Sequence, residues 1–83
     1  MSRVALVTGG SRGIGAAISI ALKDAGYTVA ATYAGNDDAA AKFTEETGIK
    51  SYKWNVADYN ESAAGSAQVE ADLGPIDVVV ANA

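Results

Sequence analysis

The chain has 83 residues, no cysteine, no histidine, one proline and a formal net charge of −4. Without histidine there is no Ser-His-Asp triad and no imidazole metal ligand; without cysteine there is no thiolate nucleophile, zinc-thiolate site or disulfide. The length admits one domain, and an acidic chain whose only net positive stretch holds Arg3, Arg12 and Lys23 is a poor nucleic-acid binder, because phosphate contacts need clustered Lys and Arg.

Arg3 to Thr8 is short and rich in β-branched residues, which predicts a strand. It follows Met1-Ser2 directly, with no signal-peptide layout, and no apolar run approaches the ~20 residues of a membrane span. A cytoplasmic protein without a membrane partner is expected. Four of the nine glycines then fall within seven residues, in Thr8-Gly-Gly-Ser-Arg-Gly-Ile-Gly15. Between a strand and a helix, such a loop lets backbone N–H groups approach a pyrophosphate with no Cβ in the way, and the helix aims its positive end at the same anion. The spacing from Gly9 is Gly-x-x-x-Gly-x-Gly, neither GxGxxG nor a Walker loop. The alternative is a tight turn that needs glycine for packing alone.

The helix after the loop is marked by Ile14, Ile18 and Leu22, four residues apart, backed by Ala17, Ala21 and Ala25, and Gly26 suits its C-terminus. Tyr27 to Tyr33 predicts a second strand. It ends Ala31-Thr32-Tyr33, without the acid that an NAD site uses to accept from the ribose 2′-OH, so NADP is permitted. Asp37 and Asp38 are first-turn acids of a second helix over Asp37–Thr47, capped by Asn36 and closed by Gly48, or else one of them is the ribose acid. Ile49 to Trp54 predicts the third strand, with Trp54 either a core or subunit-contact residue or a stacking partner for adenine. Asp58-Tyr59-Asn60-Glu61 resembles a capping box, and a third helix follows it to Leu73 before Gly74-Pro75, with Ala63, Ala64, Ala67 and Leu73 as its apolar face. Ile76 to Ala81 predicts the fourth strand. Val78-Val79-Val80 suits burial on both faces, and Asn82 falls at its carboxyl end.

Strands alternating with helices at this spacing predict an α/β fold. The expected form is a Rossmann-type, doubly wound parallel sheet, truncated to its first four strands with three helices, the first strand central and the order 3-2-1-4. The fourth strand is expected as an edge, which is an association hazard.

The loop Thr8–Gly15 resembles the cofactor loop of the short-chain dehydrogenase/reductases. Two more segments agree. Asn55-Val56-Ala57-Asp58 follows the third strand, where that family contacts adenine, and Ala81-Asn82-Ala83 resembles its Asn-Asn-Ala-Gly motif. Ala81 stands where the family more often has Asn, and Asn55 where many members have Asp. Tyr33-Ala34-Gly35-Asn36-Asp37 is similar to the 3-oxoacyl thioester reductases, which include 3-oxoacyl-acyl-carrier-protein reductases and the acetoacetyl-CoA reductases of polyhydroxybutyrate synthesis.

The resemblance implies that residues 1–83 are the N-terminal, NADP-binding portion of a single Rossmann domain. It implies cofactor contacts from Gly9, Ser11, Arg12, Gly13, Ile14, Gly15, Tyr33, Asn55, Val56 and Asn82, with Arg12 facing the 2′-phosphate. It also implies a small thioester substrate and a homo-oligomeric, tetrameric parent. The family's catalytic Ser and Tyr-x-x-x-Lys are expected beyond the fourth strand. The fourth residues after Tyr27, Tyr33, Tyr52 and Tyr59 are Ala31, Asp37, Val56 and Ala63, so no catalytic residue and no metal ligand is assigned here. The rival readings are a family member with another carbonyl or alcohol substrate, and a non-catalytic dinucleotide-binding module or fragment. A Ser followed by Tyr-x-x-x-Lys downstream separates the enzyme readings from the module.

Overall fold

The computed structural model describes residues 3–11 and 13–82. Among these, strands β1 (Val4–Thr8), β2 (Thr28–Tyr33), β3 (Lys50–Lys53) and β4 (Ile76–Ala81) alternate with helices α1 (Gly13–Asp24), α2 (Asp37–Thr47) and α3 (Tyr59–Leu73). All strand pairs are parallel and the order is β3-β2-β1-β4. The expected architecture and strand order are therefore present. No helix among the described residues is long and apolar enough to cross a membrane.

The caps set the helix ends. The Asn36 side chain accepts from Ala39 N–H and the Asp58 side chain from Glu61 N–H, so each satisfies a donor that the first turn leaves free. The box at Asp58 differs from the usual reciprocal one. Glu61 reaches past the cap to accept from Asn55 N–H (3.1 Å), while Asp58 N–H donates to Asn55 O (2.9 Å). The third helix is thus tied to the turn that precedes it.

Alternation along β1 divides the core into two layers. Ala5 and Val7 join Val29, Ala31, Phe43 and Ile49 under α1 and α2; Val4 and Leu6 join Ala30, Trp54 and Val69 under α3. Fully burying each of the larger side chains contributes about 1.5–3 kcal/mol. Two helix faces depart from the sequence expectation. In α3 the buried residue is Val69 and Leu73 packs beside it as expected, whereas Ala63, Ala64 and Ala67 are exposed. In α1, Gly15 and Ser19 are buried; Ile18 and Leu22 pack at the margin, and Ile14, Ala17 and Ala21 face outward, as does Ala25 just past its end. Alanine adds little apolar area to any face, so its spacing does not decide which face is turned inward.

β4 is the other departure. The register slips between Val4 and Ala5, which face Ile76 and Val78, so Asp77 is bulged out of the ladder. Its carboxylate accepts from Val4 N–H (2.8 Å) and replaces the lost ladder bond. The bulge also switches faces: Ile76 packs with the α3 layer, Val78 and Val80 with the α1/α2 layer. Val79 is left 61% exposed, so the valine run is covered on one face and open on the other.

The edge strand β3 is pinned to α3 through Tyr52, whose hydroxyl donates to Asp72 (2.9 Å) while Gln68 donates to the same carboxylate (2.9 Å). Burial, then the hydrogen bond and charge of Asp72, push the Tyr52 phenol up to about 12 from 10.0. A raised phenol pKa favours the protonated form in the folded state. The resulting stabilisation is complete below pH 10.0 and is lost as pH rises through about 12. Alkaline titration by ultraviolet absorbance is expected to show Tyr52 as a late-ionising phenol, and Asp72→Asn is expected to move that step down. An unchanged late step in Asp72→Asn would exclude this origin.

Candidate functional site at the carboxyl ends of the strands

β1 and β4 are neighbours, yet the chain leaves β1 toward β2 on the other side. That divergence opens a crevice at the carboxyl ends of β1 and β4, the place where doubly wound sheets bind ligands. The loop Gly9–Ser11 and the start of α1 occupy it. Gly9 and Gly13 adopt φ of 65° and 54°, a region L side chains rarely enter. Gly9 N–H donates to Thr32 Oγ1 (3.1 Å) and Gly10 N–H to Thr32 O (3.2 Å), so buried Thr32 anchors the loop to β2. Ser19, buried in α1, donates a shared hydrogen bond to Gly10 O and Gly15 O, both at 2.9 Å.

Two glycines are required by close approach. A Cβ on Gly15 would stand 2.1 Å from Gly9 O and 2.7 Å from Asn82 Nδ2. One on Gly10 would stand 2.8 Å from Val7 O and 2.8 Å from Ser19 Oγ. Asn82 is held by its own N–H, which donates to Thr8 Oγ1 (2.9 Å). The fold therefore brings Gly9, Gly15 and Asn82 together from β1, α1 and the end of β4. The first turn of α1 carries no acid, so nothing opposes an anion at its positive end.

Beside the loop lie two adjoining depressions of about 140 and 130 Å³ that share Gly9, Thr32, Tyr33 and Ala34. The first is completed by Ser11, Gly35 and Asn36, the second by Trp54, Asn55 and Val56. Of the residues singled out in the sequence, Gly9, Ser11, Tyr33, Asn55 and Val56 line this hollow. Gly13, Gly15 and Asn82 stand at the loop and crevice, and Ile14 projects from the first turn of α1, 74% exposed. Arg12 and Ala83 lie outside the described residues. Larger hollows of about 280 and 270 Å³ open at the amino ends of the strands, around Arg3 and Tyr27 and around Lys23 and Lys50. They lack both the glycine loop and a helix N-terminus.

The acid beside the hollow is already engaged. Lys53 Nζ lies 3.2 Å from Asp37 Oδ1 and donates to Oδ2 (3.3 Å). These bonds from Lys53, followed by one from Tyr33, hold the Asp37 carboxyl below its ordinary range. Burial, then Asp37, raises the Tyr33 phenol. Asp37 is thus a paired first-turn residue of α2. Trp54 is a core residue, only 6% exposed.

Sequence reasoning missed Thr32, Ser19 and Lys53. Ser19 had a signal, a polar residue four positions after Gly15 on an apolar helix. Lys53 had none, because its partner is sixteen residues away in the chain.

The arrangement suits a dinucleotide: a loop with no Cβ at Gly9 and Gly10, a first helical turn without acids, and a hollow beside it. The likenesses to known proteins agree with that chemistry. The chain is 77% identical over 83 residues to an acetoacetyl-CoA reductase from Paracoccus denitrificans, covering 100% of this chain and 34% of the relative. It is 43% identical over 88 residues to a 3-oxoacyl-acyl-carrier-protein reductase from Staphylococcus aureus, covering 100% of this chain and 36% of the relative. It thus spans about a third of the length of the curated relatives it matches. A solved Serratia marcescens short-chain dehydrogenase/reductase, a double mutant, superposes with a TM-score of 0.90 at 36% identity, over 98% of this chain and 35% of that one. The family pattern described as short chain dehydrogenase matches residues 3–83. With that pattern running through nearly every residue, the chain belongs to the short-chain dehydrogenase/reductase family.

Proposed function

We propose that residues 1–83 are the NADP-binding, N-terminal portion of a reductase acting on a 3-oxoacyl thioester. The observation that carries the nucleotide part is the Cβ-free approach of Gly15 to Gly9 at the N-terminus of α1, beside a hollow with no unpaired acid. Gly9, Ser11, Gly13, Ile14 and Gly15 would hold the pyrophosphate side, Asn55 and Val56 the adenine, Tyr33 the adenosine ribose, and Asn82 the far side of the crevice. Preference for NADP over NAD is supported by the β2 end Ala31-Thr32-Tyr33 and by Asp37, which Lys53 already neutralises. When bound, the cofactor supplies the hydride. The 77% identity to an acetoacetyl-CoA reductase supports a 3-oxoacyl thioester as its acceptor, and the 43% identity to a carrier-protein reductase leaves CoA and carrier protein as the two thioester carriers. A cytoplasmic setting and a homo-oligomeric parent belong to the same proposal.

Arg12, by the resemblance of the loop, pairs with the 2′-phosphate. A charge-assisted contact contributes about 1.5–3 kcal/mol, so Arg12→Ala is expected to weaken NADPH by about tenfold or more and to leave NADH unchanged. Fluorescence titration of both cofactors, followed by assay with acetoacetyl-CoA in a protein of the relatives' length, tests the reading. NADPH affinity unaltered in Arg12→Ala overturns the NADP assignment; absence of turnover with any 3-oxoacyl thioester overturns the substrate.

A further inference from the structure

Trp54 follows β3 immediately, and Gly65 lies in the middle of α3, where glycine is a poor helix former. A Cβ on Gly65 would fall 2.2 Å from Trp54 Cε3 and 2.5 Å from both Cδ2 and Cζ3. Near-equal distances to three consecutive ring atoms put that Cβ over the face of the indole, not at its rim. The ring therefore lies flat on the helix backbone at Gly65. Its Nε1 is buried with no hydrogen-bond partner among the described residues. A buried donor without an acceptor is unfavourable, so the indole serves here through its flat area.

The ring is rigidly placed from the sheet side, because Trp54 N–H donates to Tyr33 O (3.1 Å) and the side chain packs with Val4, Leu6, Ala30 and Val69. One turn before Gly65, Glu61 accepts from Asn55 N–H (3.1 Å) and the Ser62 hydroxyl donates to Val56 O (3.2 Å). The thickness of the Trp54–Gly65 contact thus sets the height of the α3 N-terminus over the sheet, and that N-terminus holds Asn55 and Val56.

We propose that Gly65 and Trp54 form a positioning pair that sets the adenine side of the nucleotide site, acting on Asn55 and Val56 through Glu61 and Ser62. The proposal rests on the dinucleotide reading. A methyl at Gly65 lifts α3 off the indole and carries Asn55 and Val56 away from the wall they share with Trp54.

The test uses a protein of the relatives' length carrying this sequence, with 5′-ADP and 2′,5′-ADP titrated calorimetrically and kcat measured at saturating cofactor. Gly65→Ala is expected to weaken the tighter-binding of the two nucleotides by about tenfold while kcat stays within about twofold. Adding Trp54→Leu, which removes the ring face together with part of the hollow's wall, is expected to recover at least about threefold of the affinity that Gly65→Ala loses. Should Gly65→Ala not fold, Glu61→Ala at the surface keeps the test, with a loss of about threefold or more in nucleotide affinity and the same kcat. Wild-type binding retained in Gly65→Ala, or in Glu61→Ala, overturns the pair. So do parallel losses of affinity and kcat, or failure of the double variant to recover. If wild type binds neither nucleotide, the dinucleotide reading itself fails, and this inference with it.

Discussion

A Gly15→Ala variant is expected to bind NADPH on the order of 100-fold more weakly than the native chain, the loss of one or two charge-assisted backbone contacts at about 1.5–3 kcal/mol each. The cause is geometric. The added Cβ would stand 2.1 Å from Gly9 O, a backbone atom that cannot swing aside as a side chain can. Gly9 is held at its own N–H by Thr32, and Gly15 O by Ser19, so neither partner yields without breaking the loop. The methyl must separate α1 from the glycine loop and, in the proposed complex, turn the backbone donors away from the phosphates. Helix propensity alone has the opposite sign, since alanine stabilises a helix interior by about 1 kcal/mol over glycine. Cofactor titration and thermal unfolding together decide the matter. A variant with a raised melting temperature and unchanged NADPH affinity would show that the close approach is not limiting.

Val69→Asp carries the largest expected effect on stability. Val69 is fully buried, the one buried residue of α3, and it packs with Val4, Leu6, Ala30 and Trp54. A carboxylate there has no partner, and an uncompensated buried charge costs about 3–5 kcal/mol, a large share of the roughly 5–15 kcal/mol that holds an ordinary domain together. Ala63→Asp, on the exposed face near the start of the same helix, is expected to change stability by no more than about 0.5 kcal/mol. Urea midpoints for the two variants measure the contrast. If Ala63→Asp proves the more damaging, the orientation of α3 is wrong.

That contrast also marks how far local pattern carries. The helix ends were legible because caps are local chemistry. Asn36 and Asp58 each satisfy an N–H three residues on, and no distant contact is needed to place them. The strands were legible because β-branched runs between turn residues have few other uses. The bulge at Asp77 was not legible, because it depends on which N–H of β1 lies opposite and on a carboxylate reaching it across the sheet. The face of α3 was misread because its alanines outnumber its one buried valine, and burial follows how the crossover lands on the sheet.

For the candidate site the division is similar. The amino-acid order alone established the β-α alternation, the sheet order, the glycine-rich turn at the first strand–helix junction and the absence of an acid at the end of the second strand. The alternation and the turn follow from residue types, and the order was expected from right-handed crossovers taken with the doubly wound arrangement. Only the folded chain decided that Gly15 meets Gly9 and Asn82, that Thr32 and Ser19 clamp the loop, that Lys53 occupies Asp37, and that Gly65 seats Trp54. Each is a contact between residues far apart in sequence or between a backbone and a missing Cβ. Hydrophobic periodicity records neither, because it registers how apolar a position is and not which atom comes to lie against it.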